Sequence, residues 1–224
     1  LDPERVIAVT AVSPSLPAAE RAYARDFAAL VGAPHREVMT HEMLREGYRQ
    51  NSTSRCYFCK SELLDVLSAL LPDLPHGSRV ATGTNADDLV ARFRPGIRAA
   101  TERGAVTPLA DARLSKQTIR ATARDWGLPV WDKPQAACLS SRVAYGIQIS
   151  PKRLARVESA EIAVRTSLSD SGVRSVNLRV RDLGETARIE VDQELAASPG
   201  PWREAALSAA RSAGFAQAVI DGRG

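Results

Sequence analysis

The chain contains no apolar run that approaches the roughly 20 residues of a membrane-spanning helix. No basic segment followed by an apolar one opens it, so nothing indicates an export signal. Three cysteines are an odd number, and without an export signal they make a disulfide framework a poor interpretation. These absences favour a cytoplasmic protein with no membrane partner.

A strong charge imbalance is absent as well. Arginine and lysine number 30 against 26 acidic residues, a net charge of +4. This mild excess permits anionic small-molecule ligands and argues against nucleic acid as the partner. Hydrophobic residues at 44% and charged residues at 25% are typical of a globular protein, so a disordered or fibrous chain is excluded. A chain of 224 residues also buries enough surface to fold without a metal or a disulfide.

Short apolar runs alternate with helical patterns in the first part of the chain. This order predicts an α/β domain over residues 1–142, a parallel sheet flanked by helices. Its strands are predicted at 6–9, 36–40 and 79–82, and its helices at 18–31, 62–71 and 116–126. After Arg142 the pattern becomes helix, hairpin, helix, strand, which predicts a smaller α+β domain over 143–224. Its helices are predicted at 151–168 and 201–213, and its strands at 176–180, 187–191 and 215–220.

The cysteines are the first candidates for chemistry. Cys56 and Cys59 form a C-x-x-C, but no second pair of ligands completes a structural zinc site. With Cys138 they supply three thiolates, enough to hold a [4Fe–4S] cluster with one iron left open. The alternative is three free thiols, which the spacing alone favours. Cys138 lies close to Arg142 in sequence, and a cationic neighbour favours the nucleophilic thiolate; the alternative is a connecting loop with a chance thiol.

Two further clusters suit anionic ligands. Gly83, Thr84, Asp87 and Asp88 follow a predicted strand, and open α/β sheets bind ligands at the carboxyl ends of their strands. The two carboxylates could hold Mg²⁺; the alternative is a solvated turn. In the predicted hairpin, strand alternation places three arginines on one face together with Asn177, and such a face either binds phosphate or carboxylate groups or is simply solvated. These arginines are Arg179, Arg181 and Arg188.

Several of these stretches, in this order, resemble the LarE proteins. The resemblance covers nearly the whole chain and rests on residues 8–13, 55–60, 83–89, 94–98, 132–134, 137–142, 145–146 and 187–190. LarE proteins are PP-loop ATP pyrophosphatases that act as sulfur transferases in the synthesis of a nickel-pincer cofactor.

The resemblance implies a specific reaction. ATP, with Mg²⁺, adenylates a carboxylate of pyridinium-3,5-biscarboxylic acid mononucleotide; sulfur then displaces AMP and a thiocarboxylate forms. In one branch of the family a single cysteine gives up its sulfur and becomes dehydroalanine, and in another three cysteines hold a [4Fe–4S] cluster. Cys138 matches the donor-cysteine loop, while Cys56 and Cys59 fit the cluster branch. The resemblance further implies a homo-oligomer and a downstream nickel-insertion protein as partner.

The site residues follow from the same resemblance. Gly83, Thr84, Asp87, Asp88 and Arg142 are expected to bind the ATP and Mg²⁺. The arginine face of the hairpin is expected to hold the substrate phosphate, although the family pattern has arginine where Asn177 stands.

One family motif is missing. The ATP pyrophosphate loop, Ser-Gly-Gly-x-Asp-Ser, does not occur in the 224 residues, and the chain begins at what resembles the family's second strand. The chain as given is therefore expected to be unable to adenylate a substrate, and a fragment and a defective paralogue both fit. Two other functions stay open: a tRNA-thiolating PP-loop enzyme, and a non-catalytic nucleotide-binding protein.

Overall fold

A computed structural model describes residues 5–91 and 93–222. The chain divides into two compact units, each discontinuous in sequence. The first unit contains Leu1–Glu37, Arg49–Asn51 and Ala136–Gly224, and the second contains Val38–Tyr48 and Ser52–Gln135. This division differs from the one expected at Arg142, and the assignment of functional domains stays a prediction. Within the described residues, no helix combines the length and the apolarity that crossing a membrane requires.

Helices and strands alternate along the chain. The strands are β1 (Ala8–Val12), β2 (His35–Met39), β3 (Arg179–Asp182), β4 (Thr186–Glu190) and β5 (Gln217–Asp221). The helices are α1 (Ala18–Leu30), α2 (Glu46–Arg49), α3 (Arg55–Leu70), α4 (Ala86–Val90), α5 (Pro95–Glu102), α6 (Pro108–Asp111), α7 (Lys116–Asp125), α8 (Pro151–Asp170), α9 (Gln193–Ala197) and α10 (Trp202–Ser212).

Two sheets are present among the described residues, which confirms the predicted α/β class. β1 and β2 form a parallel pair. The other sheet has the order β3-β4-β5, in which β3 and β4 are antiparallel and β4 and β5 are parallel. The register of the hairpin pairs Arg181 with Arg188 and Arg179 with Glu190.

The core of the first unit forms where α8 packs against α10 and the hairpin. Ser150 accepts a hydrogen bond from the Arg153 backbone N–H and Pro151 stands in the first turn, so α8 begins where its sequence signals predict. Its buried side chains recur at helical spacing, which gives one apolar face. These are Leu154, Val157, Ala160, Val164 and Leu168.

A buried ion cluster fastens α8 to β3. The carboxylate of Asp182 is fully buried and accepts hydrogen bonds from Arg153 Nη1, Arg156 Nη2 and the Gly184 N–H at 2.7 to 2.8 Å. The Arg156 guanidinium also lies 4.0 Å from the ring centroid of Phe215. Because unpaired buried charge is strongly unfavourable, this cluster fixes the hairpin against the helix.

The second unit is built around α3 and α5, which pack against each other. Tyr57 of α3 donates a hydrogen bond to Glu102 at 2.6 Å, and Arg98 stacks over the same ring. Asp65 of α3 accepts a hydrogen bond from Arg103 at 2.7 Å. Mainly through this bond, the arginine lowers the pKa of the Asp65 carboxyl below its ordinary value.

Two local predictions were wrong in this unit. Residues 79–82 do not form a strand of the described sheets; only an isolated parallel bridge joins Ala81 to Val106. Helix α3 begins at Arg55 rather than at residue 62, so the C-x-x-C lies inside its first turns. The polar run before it had obscured that start, because Ser54 has helical backbone angles and no side-chain capping bond.

Candidate active site around Cys138

Cys138 lies on a short loop of the first unit and its side chain is exposed. The next backbone N–H, that of Leu139, donates to the Ser15 carbonyl oxygen at 2.9 Å. Ser15 lies three residues after the end of β1, so the Cys138 loop is joined to the segment at the carboxyl end of a parallel strand. This is the edge at which open α/β sheets bind their ligands.

Arg142 is buried beneath the Cys138 loop rather than extended towards solvent. It is 8% exposed, and its Nε donates to Glu161 Oε1 at 2.9 Å. Nη1 lies 2.6 Å from the carbonyl oxygen of Ala137 and 3.1 Å from that of Cys138. The guanidinium is therefore used by the loop itself, and its predicted role as a nucleotide ligand stays a prediction.

Arg181 and Arg188 share one face of the hairpin, as the strand alternation predicts. Both donate to the buried Glu190 carboxylate, Arg181 through Nε at 2.8 Å and Arg188 through Nη2 at 3.1 Å. Arg188 Nε lies 3.8 Å from Asp221 Oδ2. The pair is thus held in fixed positions by carboxylates that also reduce its net charge.

Arg179 differs from its two neighbours. Its side chain is half-buried and lies on the same face of β3 as Arg181, and it makes no ion pair with the described part of the chain. Of the three predicted arginines it is the one whose charge is not already balanced.

The Cys138 loop and the arginine face are connected. Nη1 of Arg181 donates to the Ser141 carbonyl oxygen at 2.9 Å, three residues after Cys138. Glu161, which accepts from Arg142, also accepts the Val180 N–H of β3 at 3.1 Å. Hydrogen bonds thus join the Cys138 loop and Arg142 to Arg181 and, through Glu190, to Arg188.

Asn177 does not extend the arginine face. Its side chain donates to Asp192 Oδ1 at 2.9 Å, two residues before β3 begins. The Asp192 carboxylate also accepts from Ser175 Oγ and the Val176 N–H. Burial acts to raise the pKa of the Asp192 carboxyl, but these hydrogen bonds outweigh it and lower the pKa below its ordinary value.

The predicted nucleotide cluster of the second unit forms a well-capped turn. Asn85 and Asp88 make a reciprocal capping box at the start of α4. Asp87 Oδ2 accepts the Lys116 N–H of α7 at 2.8 Å. Thr84 and Thr82 share a hydrogen bond of 3.0 Å, while Gly83 is exposed, with open space where a side chain would stand. The carboxylates are occupied in capping, and their binding of Mg²⁺ stays a prediction.

Cys56 and Cys59 lie one helical turn apart near the start of α3; Cys56 is exposed and Cys59 half-buried. Over residues 5–91 and 93–222, no three His, Cys, Asp or Glu side chains form a group that could hold a metal ion. Cys138 belongs to the first unit and the pair to the second. The [4Fe–4S] cluster that the resemblance implies for these three thiols stays a prediction.

Sequence reasoning missed two residues of the site, Glu161 and Ser15, and it missed the burial of Glu190, which strand alternation places on the same face as Arg188. Glu161 and Glu190 are charged residues beside the apolar positions of α8 and β4, where burial of a carboxylate has no local signal. The arginines nearby in the sequence could have indicated these carboxylates, because a buried arginine needs an acidic partner. Ser15 acts through its carbonyl oxygen, which every residue type possesses.

Known proteins match the chain in part. An uncharacterized protein of Synechocystis sp., slr1717, is 44% identical over 191 residues, which are 85% of this chain and 68% of that protein. Protein MJ0830 of Methanocaldococcus jannaschii, also uncharacterized, is 30% identical over 146 residues, 65% of this chain and 54% of the relative. No family model matches.

A third relative has a named activity. The pyridinium-3,5-bisthiocarboxylic acid mononucleotide synthase of Lactiplantibacillus plantarum is 34% identical over 101 residues, which are 45% of this chain and 34% of the synthase. The chain thus spans between about a third and two thirds of the length of these relatives.

Proposed function

Because the chain belongs to the same family as the Synechocystis protein slr1717 and aligns in part with the synthase, we propose that it is a LarE-like sulfur transferase. Its substrate is pyridinium-3,5-biscarboxylic acid mononucleotide, and its product is the thiocarboxylate. The reaction serves nickel-pincer cofactor synthesis in the cytoplasm, and a nickel-insertion protein receives the product. The observation that carries the proposal is the exposed thiol of Cys138, held on a fastened loop beside the arginine face.

The chemistry begins with activation of the carboxylate. A carboxylate is a poor electrophile until one oxygen becomes part of a good leaving group. ATP supplies that group: the carboxylate oxygen attacks the α-phosphorus, pyrophosphate leaves, and an acyl adenylate forms. Asp87 and Asp88 are the residues proposed to hold the Mg²⁺ that accompanies ATP, while Gly83 and Thr84 let the backbone approach the nucleotide.

Sulfur transfer follows at Cys138. Its thiolate attacks the acyl carbon, the carbon–oxygen bond to AMP breaks, and a thioester forms. The cysteine Cα then loses a proton, the Cβ–S bond breaks, and the thiocarboxylate departs with the sulfur. Dehydroalanine remains at position 138, so each chain carries out one transfer.

The arginine face supplies the binding of the mononucleotide. Arg179 contributes the charge that is not yet paired, and Arg181 and Arg188 add donors already oriented by Glu190. Since Arg181 also holds the Ser141 carbonyl, phosphate binding on this face lies close to the loop that carries the thiol. Bound in this way, the reacting carbonyl gains a high effective concentration at sulfur.

The test separates the two half-reactions. The protein is supplied once with ATP, Mg²⁺ and the biscarboxylate nucleotide, and once with the chemically prepared acyl adenylate, which bypasses ATP. We expect AMP and thiocarboxylate in the second arm only, because the 224 residues lack the pyrophosphate-loop motif through which the family is expected to activate ATP. In that arm the protein should lose one sulfur and two hydrogens, located at residue 138 by peptide mass spectrometry.

Matched cysteine variants give the controls. Cys138→Ser should abolish transfer without lowering stability, because the side chain is exposed. Cys56→Ser and Cys59→Ser should retain a single turnover. If Cys138→Ser still forms thiocarboxylate from the acyl adenylate, the proposed sulfur donor is wrong; if Cys56→Ser also loses all transfer, a cluster-borne sulfide replaces the sacrificial thiol.

A further inference from the structure

Arg142 is a buried cation whose partners are mostly backbone carbonyls of one loop. Nε donates to Glu161, and Nη1 donates to the carbonyl oxygens of Ala137 and Cys138 and reaches Ser141 Oγ at 3.2 Å. Burying a guanidinium is unfavourable unless it is paired and its donors are satisfied. The Arg142 side chain therefore stabilises the conformation of the loop that contains Cys138.

The peptide of Cys138 is fastened on both sides. Its carbonyl oxygen accepts from Arg142 Nη1, from Ser141 Oγ at 2.7 Å and from the Ser141 N–H at 3.0 Å. The following N–H, that of Leu139, donates to the Ser15 carbonyl oxygen. Rotation of this peptide would break several of these bonds at once, so the thiol is presented from a rigid base.

We propose that Arg142 is a positioning residue, which holds the main chain of Cys138 so that the exposed thiol keeps one direction. The role deepens the proposed function, since a fixed nucleophile raises the rate of attack on a bound acyl group. It differs from the nucleotide-ligand role expected from the sequence, which stays a prediction. At 8% exposure the guanidinium offers little surface to a phosphate, whereas Arg179 is half-buried and makes no ion pair with residues 5–91 or 93–222.

The same guanidinium also relates the loop to the hairpin. Glu161 accepts from Arg142 Nε and from the Val180 N–H, and so joins the loop to β3 through one carboxylate. Lysine cannot reproduce this arrangement, because an ammonium group is a point charge without the planar fork of the guanidinium. Arg142→Lys therefore keeps the charge and removes the geometry.

The experiment uses hydrogen exchange and thiol alkylation, neither of which needs ATP or substrate. In a Cys56→Ser/Cys59→Ser background, where Cys138 is the sole cysteine, Arg142→Lys and Arg142→Gln are compared with the parent. We expect the amides of residues 139–143 to exchange about tenfold faster or more, as local fastening is lost. We also expect the rate of Cys138 alkylation by iodoacetamide at one fixed pH to rise, because the loop that carries the thiol is less constrained.

Arg156→Gln is the matched control, because Arg156 is a largely buried arginine of the same unit that pairs with Asp182 and not with the loop. It should lower global stability without a selective increase at 139–143. Equal acceleration in Arg156→Gln and Arg142→Lys, or exchange within about twofold of the parent in both Arg142 variants, overturns the positioning role.

Kinetics with the acyl adenylate then separates this inference from the proposed function. If the parent transfers sulfur, Arg142→Lys should lower the single-turnover rate constant at saturating acyl adenylate, with little change in the adenylate concentration that gives half of that rate. A rise in that concentration alone would restore the nucleotide-ligand role. If the parent transfers no sulfur while exchange and alkylation behave as expected, the proposed function fails and the positioning role of Arg142 stands.

Discussion

Replacement of Asp182 by asparagine should be among the most destabilising single changes in the first unit. The Asp182 carboxylate has no exposed surface and accepts four hydrogen bonds, two from Arg153, one from Arg156 and one from the Gly184 N–H. Asparagine keeps the shape and one acceptor oxygen but removes the negative charge. Two guanidinium groups then lie against a neutral side chain.

The expected loss follows from the burial of the cluster. Breaking a buried ion pair by removing one partner costs about 3–5 kcal/mol, because the remaining charge is uncompensated. Here two arginines lose the same partner. Their side chains are 25% exposed (Arg153) and 19% exposed (Arg156) in the folded protein, so contact with solvent reduces the cost. We therefore expect the free energy of unfolding to fall by about 3 kcal/mol, a large share of the ~5–15 kcal/mol of a typical domain.

Urea denaturation followed by fluorescence provides the assay. Trp202 is 3% exposed in the core of the first unit, whereas Trp126 and Trp131 of the second unit are exposed, so the blue-shifted part of the emission reports on the first unit. Glu204→Gln is the control, since Glu204 pairs with Arg211 on the surface and should change stability by less than about 1 kcal/mol. A loss at Asp182→Asn no larger than that of the control would refute the reasoning.

Two other changes probe the same unit. Asn51 is fully buried at φ 54°, and its side-chain amide donates to the carbonyl oxygens of Val143, Ala144 and Ile147. The free energy of unfolding of Asn51→Ala should be about 1 kcal/mol lower than that of Asn51→Gly, because both variants lose the hydrogen bonds but only alanine strains the backbone. Equal urea midpoints for the two variants would contradict this. Asp192 has a lowered pKa, so its contribution to stability is complete above the unfolded pKa of about 4 and is lost as the pH falls through the folded value. Asp192→Asn should therefore be less stable than the parent near neutral pH, and that gap should narrow in urea titrations at about pH 3; a gap independent of pH would exclude the carboxylate as its source.

Local sequence signals predicted the elements that have capping or terminating residues at their ends. Helix α7 begins after Ser115, whose Oγ accepts the Thr118 N–H, and the chain leaves it at Gly127 with φ 67°. The hairpin alternation likewise predicted that Arg181 and Arg188 share a face, because side-chain direction in a strand follows from the backbone alone. By contrast, the sequence of residues 79–82 predicts a strand, but this segment forms only an isolated bridge between Ala81 and Val106. A strand also needs a neighbouring strand that pairs along its length, and the local sequence does not indicate whether one is present.

The candidate site was predictable only in its residue types. Cys138 and Arg142 were identified from the sequence, but not that the arginine turns inward to the loop carbonyls. That arrangement depends on Glu161, nineteen residues away on α8, and on the Ser15 carbonyl, 124 residues from the N–H that it accepts (139 minus 15). Long-range backbone contacts leave no trace in composition or periodicity. The same holds for Asn177, which Asp192 draws away from the arginine face.

The discontinuous sequence of the first unit has a consequence for biosynthesis. β4 pairs with β5, so this unit cannot complete its sheet until the ribosome has translated the codons for residues 217–221. The residues of the second unit all lie between 38 and 135, so they are translated several seconds earlier at about 5–20 residues per second. Until then the edge of β4 that pairs with β5 lacks its partner, and an open strand edge is a site at which chains pair wrongly with one another.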